Sequence, residues 1–153
     1  MNVHFKLIPE AFVLSDAGTK GAVLGDLAHC FARAYGLAVP DVLEALEERE
    51  KLGSTGFGRG VAIPHARLAE PKRPVAALLK LASPVEFDAA DGMPVELVFG
   101  LISPESAGAA HLHALAAISR LVRDEATHRL LVEASGVEAL IASLTNAGDR
   151  DVA

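Results

Sequence analysis

Two almost unbroken apolar runs, Val75 to Ala82 and Val95 to Ile102, constrain the fold of this chain more than any other feature. A strand with one wet face alternates apolar and polar residues, whereas a continuous run belongs to a strand covered on both faces. Only Lys80 and Glu96 break the two runs. The cover must come from helices, and helical patterns lie on either side. Thr19 can cap a helix in which Val23, Leu24, Leu27, Phe31 and Ala34 recur at three- and four-residue steps, with Gly36 ending it. Pro40 suits the first turn of a second helix, whose inner face is Val42, Leu43 and Leu46. Downstream, His111 to Arg123, Glu125 to Ala134 opening at Asp124, and Val137 to Leu144 all read as helix. His4 to Leu14 reads as an extended or short-turn lead-in. Ser83 to Phe87 and Asp91 to Pro94 read as a short extended piece with turns. The expected fold class is therefore α/β, a three-layer α/β/α single domain with a small mixed sheet flanked by helices. Residues 1–145 form that domain and 146–153 a flexible C-terminal tail.

At 153 residues the chain has the volume for one domain with a real core. Hydrophobic residues make up 51%, which argues against disorder, but only 5% are aromatic, so the core must be mainly aliphatic. The net charge of −6 disfavours a nucleic-acid binder, which needs a basic footprint, and suits a basic protein partner better. No apolar run approaches the roughly 20 residues that span a bilayer. The first ten residues lack the charged-then-apolar layout of a secretory signal. A cytoplasmic protein without membrane insertion is expected. The single cysteine, Cys30, excludes an internal disulfide and reads as a small buried hydrophobe. The charged run Glu47 to Lys51 reads as a solvated helix face.

The chemistry is concentrated between Gly53 and Arg67. Four glycines in a short polar segment, Gly53 to Gly60, lead into Val61-Ala62-Ile63 and then Pro64-His65. Glycines let backbone N–H groups approach an anion closely. Pro64 fixes its own φ and pushes Ile63 towards extended backbone, so the imidazole of His65 is aimed. Beside exposed amides and Arg59 or Arg67, such a histidine can hold a phosphoryl group. The same residues also describe a glycine-rich turn carrying a surface histidine, and the residues alone leave both readings open.

His111 and His113 form a His-X-His pair, but on a helix they lie about 200° apart and cannot share an ion. His111 falls on the stripe of Leu115, Ile118 and Val122, facing inward, and His113 falls opposite with Arg120 and Asp124. An inward histidine is either a hydrogen-bonded core residue or, if it lies beside His65, part of a site. His4, His29 and His128 have no convergent partners and read as surface or structural. No set of three or four ligands suggests a metal, and no cofactor is expected.

Leu46-Glu-Glu-Arg49-Glu50, Gly53-Ser54-Thr55, Gly60-Val-Ala-Ile-Pro-His65 and the helix opening at His111-Leu112 together resemble the enzyme IIA domain of the bacterial phosphotransferase system. Within it, the chain is similar to the mannitol/fructose class and, inside that class, to its nitrogen-regulatory type. The likeness covers residues 7–144, and its specific part is Gly-X-Ala-Ile-Pro-His. The resemblance implies a histidine transiently phosphorylated by HPr or an HPr-like histidine phosphocarrier protein, with regulatory protein targets downstream. Carried over by position, His65 is the phosphoryl acceptor, through Nε2. Arg49 faces the phosphate and His111 is the supporting imidazole. Ser54, Thr55 and Gly60 are candidates for phosphate-site backbone. The family commonly has Gly after the active histidine. Here it is Ala66, which would be strained if phosphate binding needs φ > 0. Two alternatives stand beside this reading: a sugar-specific enzyme IIA passing phosphate to a fructose or mannitol IIB domain, and a non-catalytic regulatory binding domain.

Overall fold

A computed structural model describes residues 3–152, with side chains described over 3–145. After a turn of 3-10 helix at Pro9–Ala11, the chain forms β1 (Phe12–Ser15), α1 (Lys20–Tyr35) and α2 (Val39–Lys51). Three short strands follow, β2 (Gly56–Gly58), β3 (Val61–Ala62) and β4 (His65–Leu68), then the long β5 (Val75–Val85) and β6 (Val95–Pro104). The chain closes with α3 (Ala109–Arg123), α4 (Glu125–Glu133) and α5 (Val137–Val152). The helix starts and stops follow the sequence signals. Thr19 accepts a hydrogen bond from the Ala22 N–H at the start of α1, and Gly36 ends that helix with φ 74°. Asp124 caps α4 by accepting from Thr127 N–H.

Among the described residues the sheet is six-stranded and mixed, in the order β1-β5-β6-β3-β2, with β4 also on β6. β5 and β6 are antiparallel, pairing Val75 with Ile102 and Leu79 with Val98. β3 and β4 take consecutive stretches of the same edge of β6, both parallel: Val61 opposite Leu97, then His65 opposite Leu101. Pro64 interrupts them, and its carbonyl still accepts from Leu101 N–H at 3.0 Å. The glycine segment, which by its residues alone could also be a glycine-rich turn, contributes a bulged antiparallel pair, β2–β3. Its reversal uses positive φ at Gly58, Arg59 and Gly60.

The two apolar runs are covered on both sides, as their composition requires. Leu79, Val98 and Ile102 face α1 and α2, packing with Leu27, Phe31 and Leu46. Leu78, Phe99 and Leu101 face the other way, towards Ile118 and Leu140 of α3 and α5. The expected three layers are present. Lys80, one of the two interruptions, donates from Nζ to the carbonyls of Val132 and Ala134 at 2.5 Å each, placing a cation at the C-terminal end of α4. α5 runs on to Val152, through residues that the periodicity had left to a tail, while Ala153 lies outside the described residues.

Candidate functional site

β4 begins at His65, and everything around that ring is fixed by its neighbours in the fold. The Nδ1 atom lies 2.7 Å from the carbonyl oxygen of Ile63. A carbonyl can only accept, so Nδ1 carries the proton and Nε2 keeps its lone pair. Arg49, in the last turn of α2, donates its Nε–H to that lone pair at 3.3 Å. Its Nη1 is held by the Gly53 carbonyl at 2.9 Å, so the guanidinium is oriented before any ligand arrives.

His111 comes from the first turn of α3, and its ring centroid is 5.7 Å from that of His65. The two imidazoles share one open hollow of about 420 Å³ with Arg49, Arg67, Leu52 and Glu48. His65 is half-buried, whereas His111 is 5% exposed. His111 therefore belongs both to the core and to the site, joining two readings that the sequence held apart. His113 points away and stacks edge-on against His4, at 5.8 Å between centroids.

Both site imidazoles are held neutral. Burial is the main force lowering the pKa of His65, opposed by the Ile63 hydrogen bond and reinforced by the Arg49 charge. Burial likewise pushes His111 down to about 4, with further lowering from the Arg67 charge and from His65. A neutral imidazole with an unprotonated Nε2 is a nucleophile, and an arginine beside it suits an anion.

Glu50 was read as part of a solvated run, and the structure corrects that. Its side chain is only 7% exposed and pairs with Lys20 at 3.1 Å. It accepts from Thr55 N–H at 2.7 Å and from Thr55 Oγ1 at 2.7 Å. The signal was present: Val42, Leu46 and Glu50 are spaced four apart on the inner stripe of α2. By gripping Thr55, Glu50 ties down the turn whose Gly53 carbonyl orients Arg49.

The same bonds bear on Ser54, Thr55 and Gly60, the residues named for the phosphate-site backbone. The Thr55 amide is taken by Glu50, the Ser54 hydroxyl donates to the Phe87 carbonyl, and the Gly60 carbonyl accepts from Glu96 and Leu97 N–H. None of the three lines the hollow around His65. The glycines serve a turn and a close approach. A Cβ on Gly56 would sit 2.7 Å from that of Ala89. Arg59 also lies elsewhere, bonded to the Arg123 carbonyl, while Arg67 does reach the hollow. Ala66 sits in extended backbone opposite Ile102, and only Arg59 and Asp88 among described non-glycine residues have positive φ. The strain expected at Ala66 is thus absent from this conformation.

Sequence reasoning overlooked Ser103. It is fully buried on β6, with Oγ 2.7 Å from His111 Nδ1. Its only mark in the sequence is a hydroxyl directly after the second apolar run. No group of three or more metal-ligating side chains occurs among the described residues.

Residues 9–147 match the family model of the phosphoenolpyruvate-dependent sugar phosphotransferase system, EIIA 2. The chain belongs to this family. A "nitrogen regulatory protein" of Bradyrhizobium diazoefficiens is 44% identical over 118 residues, covering 76% of this chain and 77% of the relative. Another, from Pseudomonas aeruginosa, is 44% identical over 124 residues and 80% of each chain. The crystal structure of nitrogen regulatory protein IIA-Ntr from Neisseria meningitidis superposes with a TM-score of 0.83 at 37% identity, over 90% of this chain and 95% of that one. These relatives place the chain in the nitrogen-regulatory branch of the enzyme IIA family. No described helix is long and apolar enough to cross a membrane.

Proposed function

We propose that this chain is a histidine phosphocarrier of the nitrogen-regulatory phosphotransferase system, with His65 Nε2 as the phosphoryl acceptor. One observation carries the proposal. The Ile63 carbonyl holds the proton on Nδ1 of His65, which leaves Nε2 unprotonated, beside Arg49, in a hollow open to a protein donor. In the transfer, the N–P bond of a donor phosphohistidine breaks as the bond from phosphorus to His65 Nε2 forms. Such a transfer passes through a loose transition state, so in-line positioning and neutralisation of the equatorial oxygens are what the protein must supply. Arg49 answers the charge, and His111 adds a neutral hydrogen-bonding ring.

The donor is an HPr-like histidine phosphocarrier. Phosphorylation adds negative charge to the rim of the hollow and so changes which regulatory proteins can dock there. The protein works in the cytoplasm, where that donor is found. Incubation with phosphoenolpyruvate, enzyme I and the cognate phosphocarrier should label the wild type stoichiometrically and leave His65→Ala unlabelled. Equal label on both would remove His65 from the reaction. An unlabelled wild type would leave a binding domain. Rapid onward transfer to a fructose- or mannitol-type IIB would replace the regulatory role with a sugar-uptake one.

A further inference from the structure

The two imidazoles of the hollow are pinned by different kinds of partner, and that difference assigns a role to a residue outside the hollow. His65 faces a carbonyl, which must accept. His111 faces a hydroxyl, which can donate or accept. Ser103 is fully buried, and among the described residues its hydroxyl has one hydrogen-bond partner, His111 Nδ1. Were Nδ1–H the donor, the serine proton would be left in an apolar interior without an acceptor, at the cost of desolvating it. The arrangement that satisfies both groups has Ser103 Oγ–H donating to Nδ1. His111 must then carry its single proton on Nε2, the opposite edge of a ring that is among those lining the hollow.

Resting on the phosphocarrier reading, we infer that Ser103 is a positioning residue. It selects the Nε2–H tautomer of His111, so that this ring donates a hydrogen bond to a phosphoryl oxygen carried on His65 Nε2. The two rings thus hold opposite tautomers, one a lone-pair acceptor of phosphorus and the other a donor to its oxygen. A ring with the other tautomer would turn a lone pair towards an anion and repel it. Before phosphorylation the ring is uncharged near neutral pH, because burial and the Arg67 charge lower its pKa.

The test is long-range nitrogen–proton NMR of the uniformly ¹⁵N-labelled protein at pH 7.5, combined with single-turnover phosphorylation by the cognate donor. The wild type should show His65 protonated at Nδ1 and His111 at Nε2. Ser103→Ala should shift His111 towards Nδ1–H and slow transfer by about two- to tenfold, the worth of one neutral hydrogen bond, with the donor concentration at half-saturation unchanged. Ser103→Thr, which keeps the hydroxyl, should restore both. A wild-type His111 protonated at Nδ1 overturns the inference, as does a Ser103→Ala protein with unaltered tautomer and rate. The tautomer is read without any phosphorylation, so a failure of the phosphocarrier reading, seen as unlabelled wild type, is distinct from a failure of this one. If Ser103→Ala does not fold, the wild-type spectrum and the threonine variant still decide.

Discussion

The hollow on α2, β4 and α3 and the hairpin formed by β2 and β3 each bring a histidine against an arginine, but the two pairs commit their atoms differently. In the hollow, the Arg49 Nε–H points at a ring nitrogen that has nothing else to do. At the hairpin, His128 Nε2 lies 2.9 Å from the Arg59 carbonyl, so that nitrogen carries a proton and is occupied. The Arg59 guanidinium is turned to the Arg123 carbonyl. The residue types match, but the commitments of their atoms do not. The two contacts run in opposite directions: the arginine donates to the ring nitrogen in the hollow, whereas at the hairpin the ring nitrogen donates to the arginine's carbonyl.

Swapping alanine into each histidine breaks this comparison most sharply. His65→Ala should abolish phosphorylation by the cognate donor, and His128→Ala should leave it at the wild-type level. Arg49→Ala comes next. Loss of a charge-assisted contact should slow single-turnover transfer by roughly tenfold to a hundredfold, read by rapid quench. Arg59→Ala should leave the rate untouched. Glu50→Gln should act through the scaffold, lowering stability in urea by about 1–3 kcal/mol because Lys20 and Thr55 lose a buried carboxylate partner. Its effect on rate should be smaller than that of Arg49→Ala.

Much of this contrast could be read before any fold was known, and the remainder had physical reasons to stay hidden. Local signals survived intact: the Thr19 cap, the Gly36 stop, and the inward aim of His111 set by its helical stripe. The two apolar runs announced a sheet covered on both faces. The strands between Gly56 and Leu68 were illegible because they are two to four residues long and exist through pairing with β6, a non-local partner. The surroundings of Ser54, Thr55 and Gly60 were hidden for a related reason. A glycine-rich segment advertises exposed amides, but sequence does not say that a buried Glu50 will claim one of them. Ser103 was missed because one hydroxyl at a strand end carries no pattern.

The smallest expected effect is the response to acid. His65 is held below its ordinary value of 6.5, so the acceptance rate should begin to fall at a lower pH than it would for an unperturbed imidazole. For stability, the sign follows from His111. Its ring binds a proton near 6.5 in the unfolded chain but only at about 4 when folded, so the unfolded state takes up more protons between those values. Stability should therefore be full above pH 6.5 and fall steadily as pH drops towards 4. His111→Gln should flatten that slope in urea titrations.

Phosphorus-coupled ¹⁵N NMR of the phosphorylated, histidine-labelled protein tests the central claim most directly. A single phosphorus–nitrogen coupling at Nε2 of His65, with Nδ1 still protonated against the Ile63 carbonyl, is the result predicted here. Coupling at Nδ1 of His65, or at any other histidine, would contradict the account.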